Sequence, residues 1–384
     1  MNRQNAYDCI IVGAGYAGAV SARVLADRGA RVLVLDRRDH VGGNAYDCYD
    51  KAGVLIHKYG PHIFHTNDKS AFDFLSRFTD WNGYMHRVMG CVGTLKMPIP
   101  FNLTSLGIAF PGEKGEHLRE LLVQTYGMDS QVTIHQLRTH ENAELRALGE
   151  YVYEHIFLHY TAKQWNIDPA KVDPSVTSRV PVRIGLDDRY FTDTYQGLPT
   201  EGFTPMFERM LAHEKIDVKT GIDARDLLSF KDGEILFEST RFDGHVIYSG
   251  MPDELFFFAY GRLPYRSLNF DFKTLPQDDF QGYGTVNYTM DEPYTRITEF
   301  KHMTMQKTNG VTSILYEYPA DFTDEKTQIP YYAIMSEQNL AQYGLYRKEA
   351  EKYEKLILLG RLAEYKYYNM DAITSEAIRR ASAI

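Results

Sequence analysis

Three cysteines, Cys9, Cys48 and Cys91, are too few and too scattered for a disulfide framework or a thiolate metal cluster. They suit a reducing compartment, and the cytoplasm is the expected location. No apolar run approaches the roughly 18 residues that cross a bilayer, so membrane insertion is not expected. The N-terminus also lacks a basic stretch followed by an apolar one, the mark of a secretory leader. Low-complexity tracts and internal repeats are missing. Net positive charge is missing too: the formal balance is −9, which speaks against nucleic acid as a partner. An anionic small molecule would meet no long-range attraction and would need arginines gathered in a cleft. The sequons at Asn102 and Asn287 are read as chance matches in this setting. No Ser–His–Asp, Cys–His or paired-carboxylate arrangement stands out as a catalytic centre.

What is present begins with a glycine motif. Cys9-Ile-Ile-Val-Gly-Ala-Gly-Tyr-Ala-Gly18 is answered by Val32-Leu-Val-Leu-Asp36. An apolar run ending in Gly13, Gly15 and Gly18, then a second apolar run ending in a carboxylate, predicts strand, tight turn, helix and parallel strand. Gly13 permits the turn, Gly15 lets the backbone approach a pyrophosphate, and Gly18 lets the helix pack closely on the strand. The helix start offers N–H groups to the diphosphate, and Asp36 is placed to accept from ribose hydroxyls. The run continues to Gly42-Gly43-Asn44. A second glycine pair there resembles the extended motif of FAD-binding oxidoreductase-type domains, which favours FAD over NAD. Near the C-terminus, Leu356–Leu359 leads into Gly360-Arg361, which reads as another strand-to-helix glycine turn that closes the same site.

The composition, 44% hydrophobic and 24% charged, is that of a globular chain, and its length allows about two or three domains. Helical periodicity runs through Ser70–Phe78, His117–Tyr126 and Ala143–Trp165. Met97-Pro-Ile-Pro-Phe-Asn-Leu103 is extended by its prolines. Short alternating runs at Glu234–Phe237, His245–Ser249, Tyr283–Met290 and Ser313–Tyr318 suggest an antiparallel sheet. The expected class is α/β with α+β insertions. A Rossmann-like, discontinuous FAD-binding domain takes residues 1–66, 244–262 and 345–384. A mainly helical domain takes 67–170. An antiparallel sheet domain that binds substrate takes 171–243 and 263–344, with a mobile loop near 171–184. The 28 tyrosines suit sheet faces, but also sugar or base stacking with a hydroxyl left over for phosphate.

Five stretches in order carry a resemblance: Gly42–Asp47, Gly60–Thr66, Tyr160-Thr-Ala-Lys-Gln-Trp165 with Arg179 downstream, Asn287 through Pro293-Tyr-Thr-Arg-Ile-Thr-Glu299, and Gly360-Arg-Leu to Tyr367-Tyr-Asn-Met-Asp371. Together they resemble bacterial UDP-galactopyranose mutases from the first strand to the last helix. That resemblance implies interconversion of UDP-galactopyranose and UDP-galactofuranose for surface glycans. It also implies a reduced FAD whose N5 displaces UDP to form a flavin–sugar adduct, with an electron donor to reduce it and a homodimer. It places Arg179 and Arg296 on the substrate diphosphate, where planar guanidinium forks suit phosphate. Tyr190, Tyr332 and Tyr367 add hydroxyls to that cage, Tyr160 stacks on uracil, Trp165 lines the nucleotide-sugar cleft and Asn287 contacts substrate. His62 lies close to the isoalloxazine, with His65 structural. Arg361, Met370 and Asp371 belong to the closing flavin stretch. Two departures stand out: Asn369 where many members carry aspartate, and Ile156 in place of an aromatic on the uracil side.

Three rival readings have weaker support. A flavin-dependent oxidoreductase of the amine-oxidase type would share the glycine motifs but has no use for a phosphate-binding arginine and tyrosine set. A non-catalytic UDP-sugar or flavin binder would need no sugar cleft beside a flavin. His155 and His159 share a helix face as metal ligands can, yet no third ligand appears, and packing or surface roles are expected.

Overall fold

The computed structural model describes residues 7–165, 181–324 and 326–384. Its base is a five-stranded, all-parallel sheet in the order Ile216–Thr220, Val32–Asp36, Cys9–Val12, His245–Tyr248, Leu356–Leu358. The three central strands are buried on both faces, hence their continuous apolar sequences. One face is covered by the helices Tyr16–Asp27, Phe203–Leu211 and Met370–Ser382, which close a core around Val20, Val34, Phe207 and Ala377. The other face packs on Leu255, Tyr265, Tyr346 and Tyr365.

Above it lies a seven-stranded sheet in the order Tyr332–Ala333, Tyr265–Leu275, Thr312–Asp321, Arg296–Glu299, Thr285–Tyr288, Val88–Val92, Leu95–Ile99. Its pairings are antiparallel except that of Thr285–Tyr288 with Val88–Val92. A helical lobe follows from Leu103 to Trp165 around Leu118, Leu137 and Leu148. Its last helix is continuous but contains a π-helical turn over Tyr153–Leu158, immediately before His159–Trp165. Among the described residues no helix is long and apolar enough to cross a membrane.

The structure corrects the expected layout at four places. Ile216–Thr220 was expected with the antiparallel sheet, but it pairs in parallel with Val32–Asp36. It is an edge strand with one buried residue in five, so its sequence gave no buried-strand signal. The helix Phe203–Leu211, also in that stretch, packs on the nucleotide-domain core. Two strands, Val88–Val92 and Leu95–Ile99, interrupt the segment read as mainly helical. Gly360 ends a strand but does not open a helix directly: residues 361–365 form turns and the helix begins at Met370. The expected loop near 171–184 lies outside the described residues up to 180, and Val182–Ile184 pairs with Ser130–Val132.

Candidate functional site

The first cleft follows from backbone geometry. Gly13 has φ +103°, and a Cβ there would fall 2.1 Å from Ser249 Oγ. A Cβ on Gly18 would stand 1.8 Å from the carbonyl oxygen of Gly13. Gly43, at φ +57°, would place one 2.9 Å from Gly15 Cα. The two glycine loops are therefore laid against each other, and Gly42 N–H donates to Ala14 O at 2.9 Å. Asp36 ties the first loop: its carboxylate accepts from Ala14 N–H at 2.7 Å and from Arg38 N–H at 2.9 Å. No side chain caps the helix that starts at Tyr16, so its first N–H groups and its positive dipole end face the cleft.

Gly13, Gly15, Asp36, Gly43, Asn44, His62, Arg361 and Met370 all line this one cleft, about 1240 Å³ of open space. Gly18 stands behind it as a packing residue. The buried phenol oxygen of Tyr16, on the cleft wall, has no partner among the described residues. At the far end Arg37 is held by the buried Glu254 at 3.1 Å, and Arg225 by Asp223 at 2.7 Å.

A second cleft, about 1100 Å³, shares His62 and Met370 with the first. Tyr160, Tyr190, Asn287, Arg296, Tyr332 and Tyr367 line it. Asn287, Arg296 and Glu317 are register partners on three adjacent strands, so they stand in one row on one face of the sheet. Glu317, 1% exposed, accepts from Arg296 Nε at 2.6 Å. That contact orients the guanidinium and leaves its two terminal nitrogens for another acceptor. Burial, the largest single influence, would lower the Arg296 pKa, but Glu317 together with the neighbouring Tyr160 and Tyr332 raises it on balance, so the cation persists. Burial also raises the phenols of Tyr160 and Tyr190, which keeps them as neutral O–H donors at neutral pH. The Arg361 guanidinium lies 4.9 Å from the Tyr367 ring and 5.4 Å from that of Tyr332, and it donates to Tyr368 O at 2.7 Å.

His62 Nδ1 lies 2.9 Å from Gly60 O. A carbonyl only accepts, so Nδ1 carries the proton and Nε2 keeps its lone pair. His57 Nδ1 accepts the His62 N–H at 3.0 Å. Burial depresses His57 to about 4 and both His62 and His86 to about 3, so all three are neutral. Each binds its proton more readily when unfolded. The stability they confer is complete above about 6.5 and is given up as pH falls toward 3–4, by at most about 1.4 kcal/mol per pH unit for each imidazole. Thermal midpoints should therefore drop on acidification, and His57→Asn should flatten the drop. An unchanged slope in the variant would exclude this cause.

Other expected residues are placed as follows. Arg179 lies outside the described residues. Trp165 ends the last lobe helix, and its side chain is likewise outside them. Asn369 lines the second cleft and stands at the N-cap of Met370–Ser382 without capping it. Asp371 accepts from Thr66 Oγ1 at 2.8 Å, which fastens that helix to the Phe64–Thr66 strand. His65 lines the second cleft and also holds Asp193 at 3.0 Å. Ile156 does not reach the cleft; it is 3% exposed, in the lobe core. His155 donates to Tyr151 O at 2.9 Å, and His159 lies 4.0 Å from Asp291. Neither joins a possible metal group among the described residues.

Four residues escaped sequence reasoning: Glu317, His86, Phe191 and Thr285. Phe191 is sandwiched between the rings of His65 at 3.5 Å and His86 at 5.7 Å. Thr285 Oγ1 and Asn287 Oδ1, on the cleft wall, are buried with no partner among the described residues. The only usable signal was an acid, Glu317, between apolar and aromatic residues of a strand.

A family model described as UDP-galactopyranose mutase matches residues 155–367, and one described as an NAD(P)-binding Rossmann-like domain matches 11–78. The chain is 34% identical over 387 residues to UDP-galactopyranose mutase of Mycoplasma genitalium, across 99% of this chain and 95% of that protein. It is 33% identical over 375 residues to dTDP-fucopyranose mutase of Escherichia coli, across 97% of each. A crystal structure of reduced UDP-galactopyranose mutase superposes with a TM-score of 0.72 over 98% of this chain and 95% of that one. At 16% identity that likeness is one of fold.

Proposed function

The chain belongs to the UDP-galactopyranose mutase family, and from that premise we propose that it interconverts UDP-galactopyranose and UDP-galactofuranose as an intramolecular transferase. The amine-oxidase alternative falls away, because the match to mutases runs through the substrate half of the chain as well as its nucleotide domain.

The residues of the first cleft fit a flavin dinucleotide. Its backbone cradle admits no side chain, its helix start is uncapped, and Asp36 sits at the ribose end of the motif. Gly13, Gly15, Gly43 and Asn44 would hold the diphosphate, while His62, Arg361 and Met370 stand where the two clefts meet. Bound there in its reduced form, FAD would supply an electron-rich nitrogen as the nucleophile toward the anomeric carbon. An electron donor must keep it reduced.

The observation that carries the reading is the junction itself: a dinucleotide cleft meets, at His62 and Met370, one holding Arg296 and four tyrosines. Arg296, with Arg179, holds the diphosphate as it leaves and returns, so UDP stays beside the sugar. Tyr190, Tyr332 and Tyr367 donate hydroxyls to the same oxygens, and Tyr160 stacks on uracil. Asn287 turns its unpartnered oxygen to a sugar hydroxyl. Neutral His62 offers a lone pair beside the flavin without adding positive charge there. We extend the reading to a cytoplasmic homodimer that feeds a surface-glycan pathway.

Incubation of dithionite-reduced protein with UDP-galactofuranose should yield UDP-galactopyranose without consuming reductant, as resolved by chromatography. A parallel arm with dTDP-fucofuranose checks nucleotide and sugar preference. Conversion of neither, or oxygen consumption that tracks substrate, would refute the proposal.

A further inference from the structure

Lys163 lies one helical turn beyond Tyr160, and its ammonium does not point to solvent. Its Nζ donates to three carbonyl oxygens, those of Tyr288 at 2.7 Å, Glu292 at 3.0 Å and Tyr294 at 3.2 Å. An ammonium has three N–H donors, so this one is fully used, and the Glu292 carboxylate sits 3.9 Å away. The carbonyls belong to the last residue of Thr285–Tyr288 and to the connection from it to Arg296–Glu299, the two strands that carry Asn287 and Arg296. The next residue of the helix is fixed as well: Arg266, 4% exposed, donates to Gln164 O at 3.2 Å. The helix turn bearing Tyr160 is thereby stapled to the hairpin bearing Asn287 and Arg296.

We propose that Lys163 is a positioning residue for nucleotide-diphosphate binding, holding the Tyr160 face of the cleft at a fixed separation from Asn287 and Arg296. The proposal rests on the reading of this cleft as the UDP site. A ligand that spans both ends must match that separation. A ligand that engages only the guanidinium need not. The ammonium supplies a polar fastening across the gap between helix and hairpin.

The test compares dissociation constants for UDP and for inorganic pyrophosphate by titration calorimetry on the flavin-loaded protein. Lys163→Met should weaken UDP by about tenfold or more while pyrophosphate changes by less than about twofold. Flavin content should be unchanged. Lys163→Cys should share the defect, and aminoethylation, which restores an ammonium at the same reach, should return UDP affinity to within about threefold of the parent. Wild-type protein treated in the same way controls for Cys9, Cys48 and Cys91. Arg296→Ala, the reference arm, should weaken both ligands. If UDP affinity in Lys163→Met stays within about twofold, or if both ligands weaken equally, the proposal is overturned while the reading of the cleft stands. If Arg296→Ala leaves both ligands at native affinity, the reading of the cleft falls and the proposal with it.

Discussion

Arg296→Ala should reduce kcat/KM for UDP-galactofuranose by at least about a hundredfold while the flavin stays bound. Two charge-assisted bonds to the diphosphate, at about 1.5–3 kcal/mol each, set that scale. The same contacts serve the departing and returning nucleotide, so kcat should fall along with affinity. A second effect arises because Glu317 is 1% exposed and its Oε1 is oriented on Arg296 Nε. Removal of the guanidinium strands a buried carboxylate, an uncompensated charge that can cost about 3–5 kcal/mol unless it takes up a proton. The double variant Arg296→Ala, Glu317→Gln should therefore recover stability without recovering activity, which separates the two consequences. Turnover within about tenfold of wild type in Arg296→Ala would refute the role assigned here.

The second large effect is Gly18→Ala. An added methyl would stand 1.8 Å from the Gly13 carbonyl oxygen and 3.0 Å from Ile11 Cγ2. A backbone carbonyl in the glycine turn cannot rotate away as a flexible side chain can. The helix must lift from the strand, and with it the N–H groups that face the diphosphate. Overpacking of this kind costs about 1–3 kcal/mol. Flavin occupancy, read from visible absorbance after purification, should fall to below roughly a tenth of the parent's. Full occupancy would show that the helix start can shift without losing its grip on the cofactor.

These two residues also mark what could be read from sequence and what could not. The glycine loop and Asp36 were legible because their constraints are local: turn, helix start and strand end lie within a few dozen residues and fix one another's conformation. Arg296, Asn287 and the tyrosines were legible through family motifs, and the second cleft gathers them. Glu317 was not, because its meaning depends on which strand lies beside it. In sequence it is an acid in Ser313-Ile-Leu-Tyr-Glu317. Only the pairing of Thr312–Asp321 with Arg296–Glu299 shows that it faces the arginine. His86 and Phe191 are more than a hundred residues apart and meet by stacking on one wall. Ile216–Thr220 was missed for a related reason, since an edge strand buries too little to leave a pattern. Ile156, noted as standing where an aromatic is often seen on the uracil side, is packed into the lobe core.

The row formed by Asn287, Arg296 and Glu317 has a consequence for how this chain can change. Side chains alternate between sheet faces, so a one-residue insertion or deletion within the Thr285–Tyr288 and Arg296–Glu299 hairpin would slip the pairing by one position. The amide or the guanidinium would then turn to the opposite side of the sheet and lose its alignment with Glu317, which stays in place on the neighbouring strand. Point substitutions at neighbouring positions leave that alignment intact. The chemistry of the cleft thus tolerates drift in composition far better than drift in length, and indels in this hairpin should be silent only where a bulge absorbs the extra residue.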